Sequence, residues 1–247
     1  SGQDFGTAAY RQEFGDLDND GDLDLFLAKY SYPNAVWFND GTGVFTDSGQ
    51  SLGDTANSNV ELGDIDGDGD LDAYVGRASS SSSQMWINDG YGFFADSGIA
   101  YTNYNHEGDL GDLDGDGDLD LFVSHSNRIV VMLNDGTGTM VDSGQFFPQL
   151  ATTGADLGDV DGDGDLDAVS SSWIYGPSRV WLNDGTGWFT DHQSMGGTSG
   201  GQIKLIDLDG DNDLDVFLCY YGAPNAIWLN DGFGNFTHNG QVIGEAW

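Results

Sequence analysis

Three observations on the 247-residue chain predict an all-β fold, a five-bladed β-propeller of four-stranded antiparallel blades. An Asp-rich nonapeptide occurs five times, beginning at Asp16, Asp64, Asp112, Asp159 and Asp207, at steps of 47 or 48 residues. An Asn-Asp-Gly tripeptide keeps phase with it, at Asn39, Asn88, Asn134, Asn183 and Asn230. Between these marks the chain reads as short strands, and no stretch sustains a helical period. Four strands in a repeat of this length match one propeller blade. Residues 1–247 are therefore expected to form one domain, with blades near residues 8–49, 57–98, 105–144, 152–192 and 200–240.

The second repeat gives the order of elements. Residues 59–64 alternate into the Asp loop, and residues 71–76 form an apolar strand. Residues 84–88 are a third strand, and Asn-Asp-Gly followed by another glycine is a hairpin signal leading into a fourth strand at 93–96. Trp37, Trp86, Met132, Trp181 and Trp228 stand at one point of the third strand in each repeat and are read as packing between blades. The linkers at the two ends, Ser1-Gly2-Gln3 and Asn239-Gly240-Gln241, resemble each other, so the blades are expected to close into a ring.

Composition limits the partners. Six Lys and Arg stand against 42 Asp and Glu, a formal charge of −36. Such a charge suggests disorder, but 13% aromatic residues, with 7 Trp and 14 Phe, argue for a packed core. Nucleic acid and anionic membranes are poor partners for want of Lys and Arg, and no nucleic-acid partner is expected. No apolar run approaches the roughly 20 residues that span a bilayer, so no membrane insertion is expected. Cys219 is the only cysteine, which rules out an intrachain disulfide, and its apolar strand context predicts a buried thiol. The chain starts at Ser1 without a signal sequence and is read as a mature or trimmed segment.

Numbered 1 to 9, the Asp loops carry Asp at every odd position. The candidate metal ligands are Asp16, Asp18, Asp20, Asp22 and Asp24; Asp64, Asp66, Asp68, Asp70 and Asp72; Asp112, Asp114, Asp116, Asp118 and Asp120; Asp159, Asp161, Asp163, Asp165 and Asp167; and Asp207, Asp209, Asp211, Asp213 and Asp215. A hard cation such as Ca²⁺ takes about 6–8 oxygens. Side chains at 1, 3 and 5 converge inside a tight loop, position 7 offers its backbone carbonyl, and position 9 closes the shell. Gly at position 6 allows the turn in four copies, and Asn212, which tolerates a left-handed backbone, replaces it in the fifth. Without a counter-ion, five carboxylates in nine residues repel one another. One Ca²⁺ per blade, five in all, would bring the formal charge from −36 to −26. Zn²⁺ would want His and Cys, and an EF-hand would need Glu at position 12, where the first loop has Leu27.

The DxDxDG string, the apolar strand after it and the LNDGTGWFT hairpin at 182–190 resemble the FG-GAP/VCBS repeat of integrin α-chain propellers and bacterial surface proteins. The resemblance covers essentially the whole chain. It implies calcium loops between the first two strands of each blade, and extracellular adhesion or carbohydrate recognition as the role.

The loops between second and third strands vary from repeat to repeat, and their aromatics concentrate in repeats four, five and one. Tyr30, Tyr32, Trp173, Tyr175, Tyr220 and Tyr221 are the candidate ligand-binding residues, a stacking platform for a glycan or a protein ligand. His106, His125, His192 and His238 fall at non-equivalent places, and no nucleophile motif stands apart from the Asp loops. The expectation is an extracellular, monomeric, lectin-like or adhesive recognition module and not an enzyme. The alternatives are a protein-interaction scaffold and the propeller domain of a polysaccharide-degrading enzyme.

Overall fold

The computed structural model describes residue 5 and residues 9–77, 82–101, 108–125, 128–147, 152–172, 176–196 and 200–244. Among these the regular structure is entirely β. The first blade is β1 (Ala9–Gly15), β2 (Asp24–Lys29), β3 (Ala35–Asn39) and β4 (Phe45–Asp47). The second is β5 (Asn57–Gly63), β6 (Asp72–Arg77), β7 (Ser83–Asn88) and β8 (Phe94–Tyr101). The third is β9 (Gly108–Gly111), β10 (Asp120–His125), β11 (Arg128–Asn134) and β12 (Met140–Asp142). The fourth is β13 (Thr152–Gly158), β14 (Asp167–Ser172), β15 (Ser178–Asn183) and β16 (Phe189–Met195). The fifth is β17 (Gly200–Ile206), β18 (Asp215–Tyr220), β19 (Ala226–Leu229) and β20 (Thr237–His238).

Each set forms its own four-stranded sheet, with strands paired in chain order. Five sequential antiparallel meanders are the blades of a β-propeller, the fold class the repeats predict. In register, the first residue of each Asp loop follows the end of strand one, and its ninth residue starts strand two, as in Gly15 opposite Asp24 and Gly158 opposite Asp167.

Contacts group the chain into two compact units, Ser1–Leu110 with Asn134–Thr139, and Gly111–Leu133 with Met140–Trp247. In the first unit, Phe26 and Val36 of blade one pack with Val60, Val75, Trp86 and Phe94 of blade two. In the second, Phe147 lies edge-on to both Phe122 and Trp181, and another cluster joins Val169 and Met195 to Val216 and Leu218. The apolar core thus sits between successive blades, as a strand with one buried face on each side requires. Trp86, Met132 and Trp181 are buried at these places, while Trp37 and Trp228 are half-buried. Cys219 is also only half-buried, which corrects the buried thiol expected from its apolar neighbours; burial still pushes its pKa up.

A glycine ends the first strand of blades one to four, and in blades one, three and four its surroundings show how closely the next blade approaches. A Cβ at Gly15 would stand 2.6 Å from Leu71 Cδ1, at Gly111 2.7 Å from Leu166 Cδ1, and at Gly158 2.6 Å from Leu214 Cδ1. The backbone there is ordinary, so the constraint is packing and not conformation. Gly158→Val should therefore destabilise the protein by about 1–3 kcal/mol through overpacking. A melting temperature equal to the parent's would contradict this account of blade spacing.

Candidate functional site

The Asp loops are built by their own backbone. Positions 4 and 6 both lie in the left-handed region: Gly67 and Gly69 at φ 77° and 97°, Asn19 at 61° and Asn212 at 75°. Glycine adopts this conformation without cost, and Asn tolerates it. The resulting turns fold N–H groups back onto carboxylates. Asp64 Oδ2 accepts Gly69 N–H at 3.0 Å, Asp159 Oδ2 accepts Gly164 N–H at 3.1 Å, and Asp207 Oδ2 accepts Asn212 N–H at 3.2 Å.

The aspartate at position 9 ties each loop to the rest of its blade. Asp24, Asp72, Asp120, Asp167 and Asp215 are wholly buried. Their Oδ2 atoms accept the N–H of position 2, from Leu17, Ile65, Leu113, Val160 and Leu208, at 2.8–3.0 Å. In four blades Oδ1 accepts the N–H of the Asn in the Asn-Asp-Gly turn, as in Asn88 to Asp72 at 2.8 Å and Asn183 to Asp167 at 2.9 Å. That Asn also reaches across blades. Asn88, Asn134, Asn183 and Asn230 each donate from Nδ2 to the position-2 carbonyl of the preceding blade at 2.8 Å. Repeat spacing alone marks these asparagines only as turn residues; their cross-blade bond could be read only from the structure.

Of the predicted ligands, the fold gathers positions 1, 3 and 9. Carboxylate oxygens of Asp16, Asp18 and Asp24 lie within 4.8 Å of one another, as do those of Asp64, Asp66 and Asp72; Asp112, Asp114 and Asp120; Asp159, Asp161 and Asp167; and Asp207, Asp209 and Asp215. Position 5 stands beside this group: Asp20, Asp68, Asp116, Asp163 and Asp211 each use Oδ1 to accept the N–H of position 7 at 3.0 Å. The side chain of position 7 faces elsewhere. Asp22, Asp70, Asp165 and Asp213 lie over the turn glycines Gly41, Gly90, Gly185 and Gly232, where a Cβ would come within 2.6 Å of a carboxylate oxygen.

The electrostatics fit a cation. Burial, then repulsion from neighbouring carboxylates, raises the pKa of Asp18, Asp66, Asp114, Asp161 and Asp209. Burial raises Asp72 and Asp167 to about 6 despite the N–H donors around them. Buried oxygens of Asp18, Asp64 and Asp66 have no hydrogen-bond partner, a costly arrangement for a carboxylate unless something positive meets it. Five clusters, one per repeat, can therefore hold metal ions.

The candidate ligand-binding residues are distributed unevenly. Trp173 and Tyr175 lie outside the described residues. In the first unit Tyr30 and Tyr32 are exposed, and Tyr32 borders a polar recess with Lys29, Asp47 and Gln50. In the second, Tyr221 is exposed, and Tyr220 lines a cavity of about 500 Å³ with Ala223, Pro224, Trp228, His238 and Val242. The Tyr220 hydroxyl donates to Gly196 O at 2.9 Å, and His238 meets Trp228 edge-on with a centroid separation of 5.3 Å. Recess and cavity are the same place in two blades. Asn34 Oδ1 accepts Lys29 N–H and Asn225 Oδ1 accepts Tyr220 N–H, both at 3.2 Å, so the two loops are closed by the same bond. They differ in side chains, with Lys29 and Tyr32 in blade one where blade five has Tyr220 and Ala223, and in backbone at Gly222, whose φ of 72° has no counterpart at Ser31. The small Ala223 opens the apolar cavity. Reading Trp228 only as blade packing missed its second role as a wall of this cavity.

The raised carboxylates set a pH dependence. Asp72 and Asp167 titrate at about 6 in the folded, metal-free chain against an ordinary 3.8. The folded state therefore binds protons more tightly than the unfolded one, and metal-free stability falls as pH rises from about 4 through 6. A cation competes for the same oxygens. Divalent-metal affinity should weaken as pH is lowered through 6, with proton release on binding measurable by titration in buffers of different ionisation heat. An affinity constant from pH 5 to 7 would contradict this.

No curated protein matches this chain. A lectin from Agrocybe aegerita that recognises non-reducing terminal N-acetylglucosamine superposes with a TM-score of 0.65 at 21% identity, over 94% of this chain and 65% of the lectin. A V. cholerae biofilm matrix protein gives a TM-score of 0.49 at 15% identity, over 97% of this chain and 41% of that protein. The first likeness is one of fold. Among the described residues no helix is long and apolar enough to cross a membrane. The FG-GAP-like repeat matches residues 16–75, 112–170 and 159–218, more than half of the chain and all five Asp loops. The chain belongs to the FG-GAP-like repeat family.

Proposed function

We propose that this protein is a calcium-loaded extracellular recognition module that binds a neutral glycan in the cavity of blade five. Calcium is favoured by an all-oxygen donor set in loops of flexible geometry. The proposed ligands are the Asp side chains at positions 1, 3, 5 and 9 with the carbonyl at position 7. When bound, the ion supplies the charge that the orphaned oxygens of Asp18, Asp64 and Asp66 call for. Five such sites suit a calcium-rich compartment outside the cell.

The observation that carries the glycan reading is the blade-five cavity. Its volume of about 500 Å³ suits a small ligand. Tyr220 and Trp228 offer apolar faces for a sugar ring, and the loop and tail supply polar groups around them. The fold is shared with a lectin that recognises a terminal N-acetylglucosamine, which supports the ligand class. Exposed Tyr30, Tyr32 and Tyr221 are read as further contacts for larger ligands. A binding module is favoured over an enzyme because the cavity brings one histidine, His238, whose Nδ1 is occupied by Gly240 N–H at 3.0 Å.

Two experiments test these readings separately. Each saturated site at 100-fold excess over its Kd contributes about 2.7 kcal/mol, so chelation should lower the melting temperature by more than about 10 °C. Titration should count five sites in the parent and four in Asp114→Ala; an unchanged melt would remove calcium from the account. For the ligand, Ala223→Tyr copies the blade-one loop and fills the cavity. It should reduce glycan binding on an array at least tenfold while leaving the calcium-dependent melt intact. Undiminished binding would place the ligand elsewhere, and release of sugar from a polysaccharide would favour the enzyme reading.

A further inference from the structure

Four of the six cationic side chains stand opposite an aspartate: Arg77 with Asp54, Arg128 with Asp142, Arg179 with Asp191 and Lys204 with Asp156. Lys29 has no such partner among the described residues. Its backbone N–H and carbonyl are bonded to Asn34 and Asn57, and its ammonium meets no acceptor. In a chain with 42 acidic residues, an unpaired lysine on the wall of a recess points to something absent.

An aspartate on the same recess is unpaired too, and the repeat shows why. Strand pairing sets Asp47, Asp96 and Asp191 opposite Trp37, Trp86 and Trp181. Two residues before the tryptophan, blade two has Gln84, which donates to Asp96 at 3.0 Å, and blade four has Arg179, which pairs with Asp191. Blade one has Ala35 there, so Asp47 keeps only the backbone N–H of Gly49, at 2.9 Å. Ala35 itself lines the recess of about 290 Å³, with Lys29, Tyr32, Pro33, Asn34 and Asp47. Asn34 is 1% exposed, spends Oδ1 on Lys29 N–H, and leaves Nδ2 without an acceptor. One lining thus holds a cation and an amide that lack acceptors, and a carboxylate that lacks a side-chain donor.

We infer that the blade-one recess is a second binding site, for a small ligand that carries one carboxylate and a hydrogen-bond donor beside it. Lys29 Nζ takes the carboxylate in a charge-assisted bond. Asp47 accepts from the donor, and the exposed ring of Tyr32 offers an apolar face. A uronic acid sugar, donating a hydroxyl, and an α-amino acid, donating its ammonium, share this chemistry. The volume holds one such unit, and the formal charge of −36 disfavours a polyanion. Blade five sets Tyr220 and His238 in the places of Lys29 and Asp47, so its cavity lacks both charges. The blade-one site is separate from that cavity and does not rest on the glycan reading.

Titration of the full chain in saturating calcium tests this, with glucuronate, free alanine and glucose as probes and the amide NMR signals of Ser31, Tyr32 and Asn34 as the readout. One of the two carboxylates should shift these signals, and glucose should not. Glucuronate binding identifies a sugar acid, and alanine binding identifies an amino acid. Lys29→Met leaves the backbone bond to Asn34 in place and should weaken binding about tenfold or more, while Lys29→Arg should restore most of it. Asp47→Ala should weaken it as well. Ala223→Tyr, which fills the blade-five cavity, should leave it unchanged, so failure of the blade-five reading and failure of this one are distinct results. The calcium-dependent melt of each variant should match the parent's, which separates lost binding from lost folding. No shift with either carboxylate, a Lys29→Met chain that binds as the parent does, or glucose bound as tightly as the carboxylates would each overturn the inference.

Discussion

Each blade is held at one edge by a carboxylate that water cannot reach. The ninth aspartate of every loop is wholly buried, and its Oδ2 takes the N–H of position 2. In blades one, two, four and five its Oδ1 takes the N–H of the turn asparagine. One side chain therefore fixes the first connection of the blade against the third. In blades two to five that asparagine extends its amide to the preceding blade, and in the first four loops the residue at position 2 is buried. Burying a negative charge is expensive even with two N–H donors. The raised pKa of Asp72 and Asp167 is the mark of that expense. A cation at positions 1, 3 and 9 would offset it, and its binding would then be coupled to folding.

Because metal loop and blade junction share residues, the repeat has little freedom on that edge. Position 4 abuts the next blade's turn, and Asn19 makes this explicit by donating to Asp70 Oδ1 at 2.7 Å and Gly90 O at 3.2 Å. The connections between second and third strands carry no such burden. Blades one and five keep the same asparagine-closing bond there, while the side chains between its ends, and the backbone at Gly222, change. Variation between repeats is thereby concentrated in these loops, away from the Asp-loop edge.

Much of this was legible in the sequence because it repeats. Five Asp loops in phase with five Asn-Asp-Gly turns gave strand order, blade number and the metal clusters. The ends of strands were less legible: β8 continues to Tyr101, well past the short fourth strand read at 93–96, because its pairing with β7 continues where alternation fades. The roles within each loop were also hidden. All five aspartates look alike as letters, yet backbone turns at positions 4 and 6 send positions 1, 3 and 9 together and turn position 7 toward a glycine. The cavity of blade five was half visible, through Tyr220. Its other wall, Trp228, was masked by equivalence with Trp86 and Trp181, which are buried by linkers and neighbouring blades.

The central claim is that the buried aspartate couples the metal loop to the body of each blade. Native-state hydrogen exchange of the position-2 amides tests it most directly. With calcium bound, Ile65 and Val160 N–H should exchange among the slowest in the protein, since each is buried and donates to a carboxylate locked in place. Chelation should speed them by at least tenfold, more than it speeds amides in mid-strand. Exchange at Ile65 and Val160 that is fast with calcium bound, or that chelation leaves unchanged, would contradict the account.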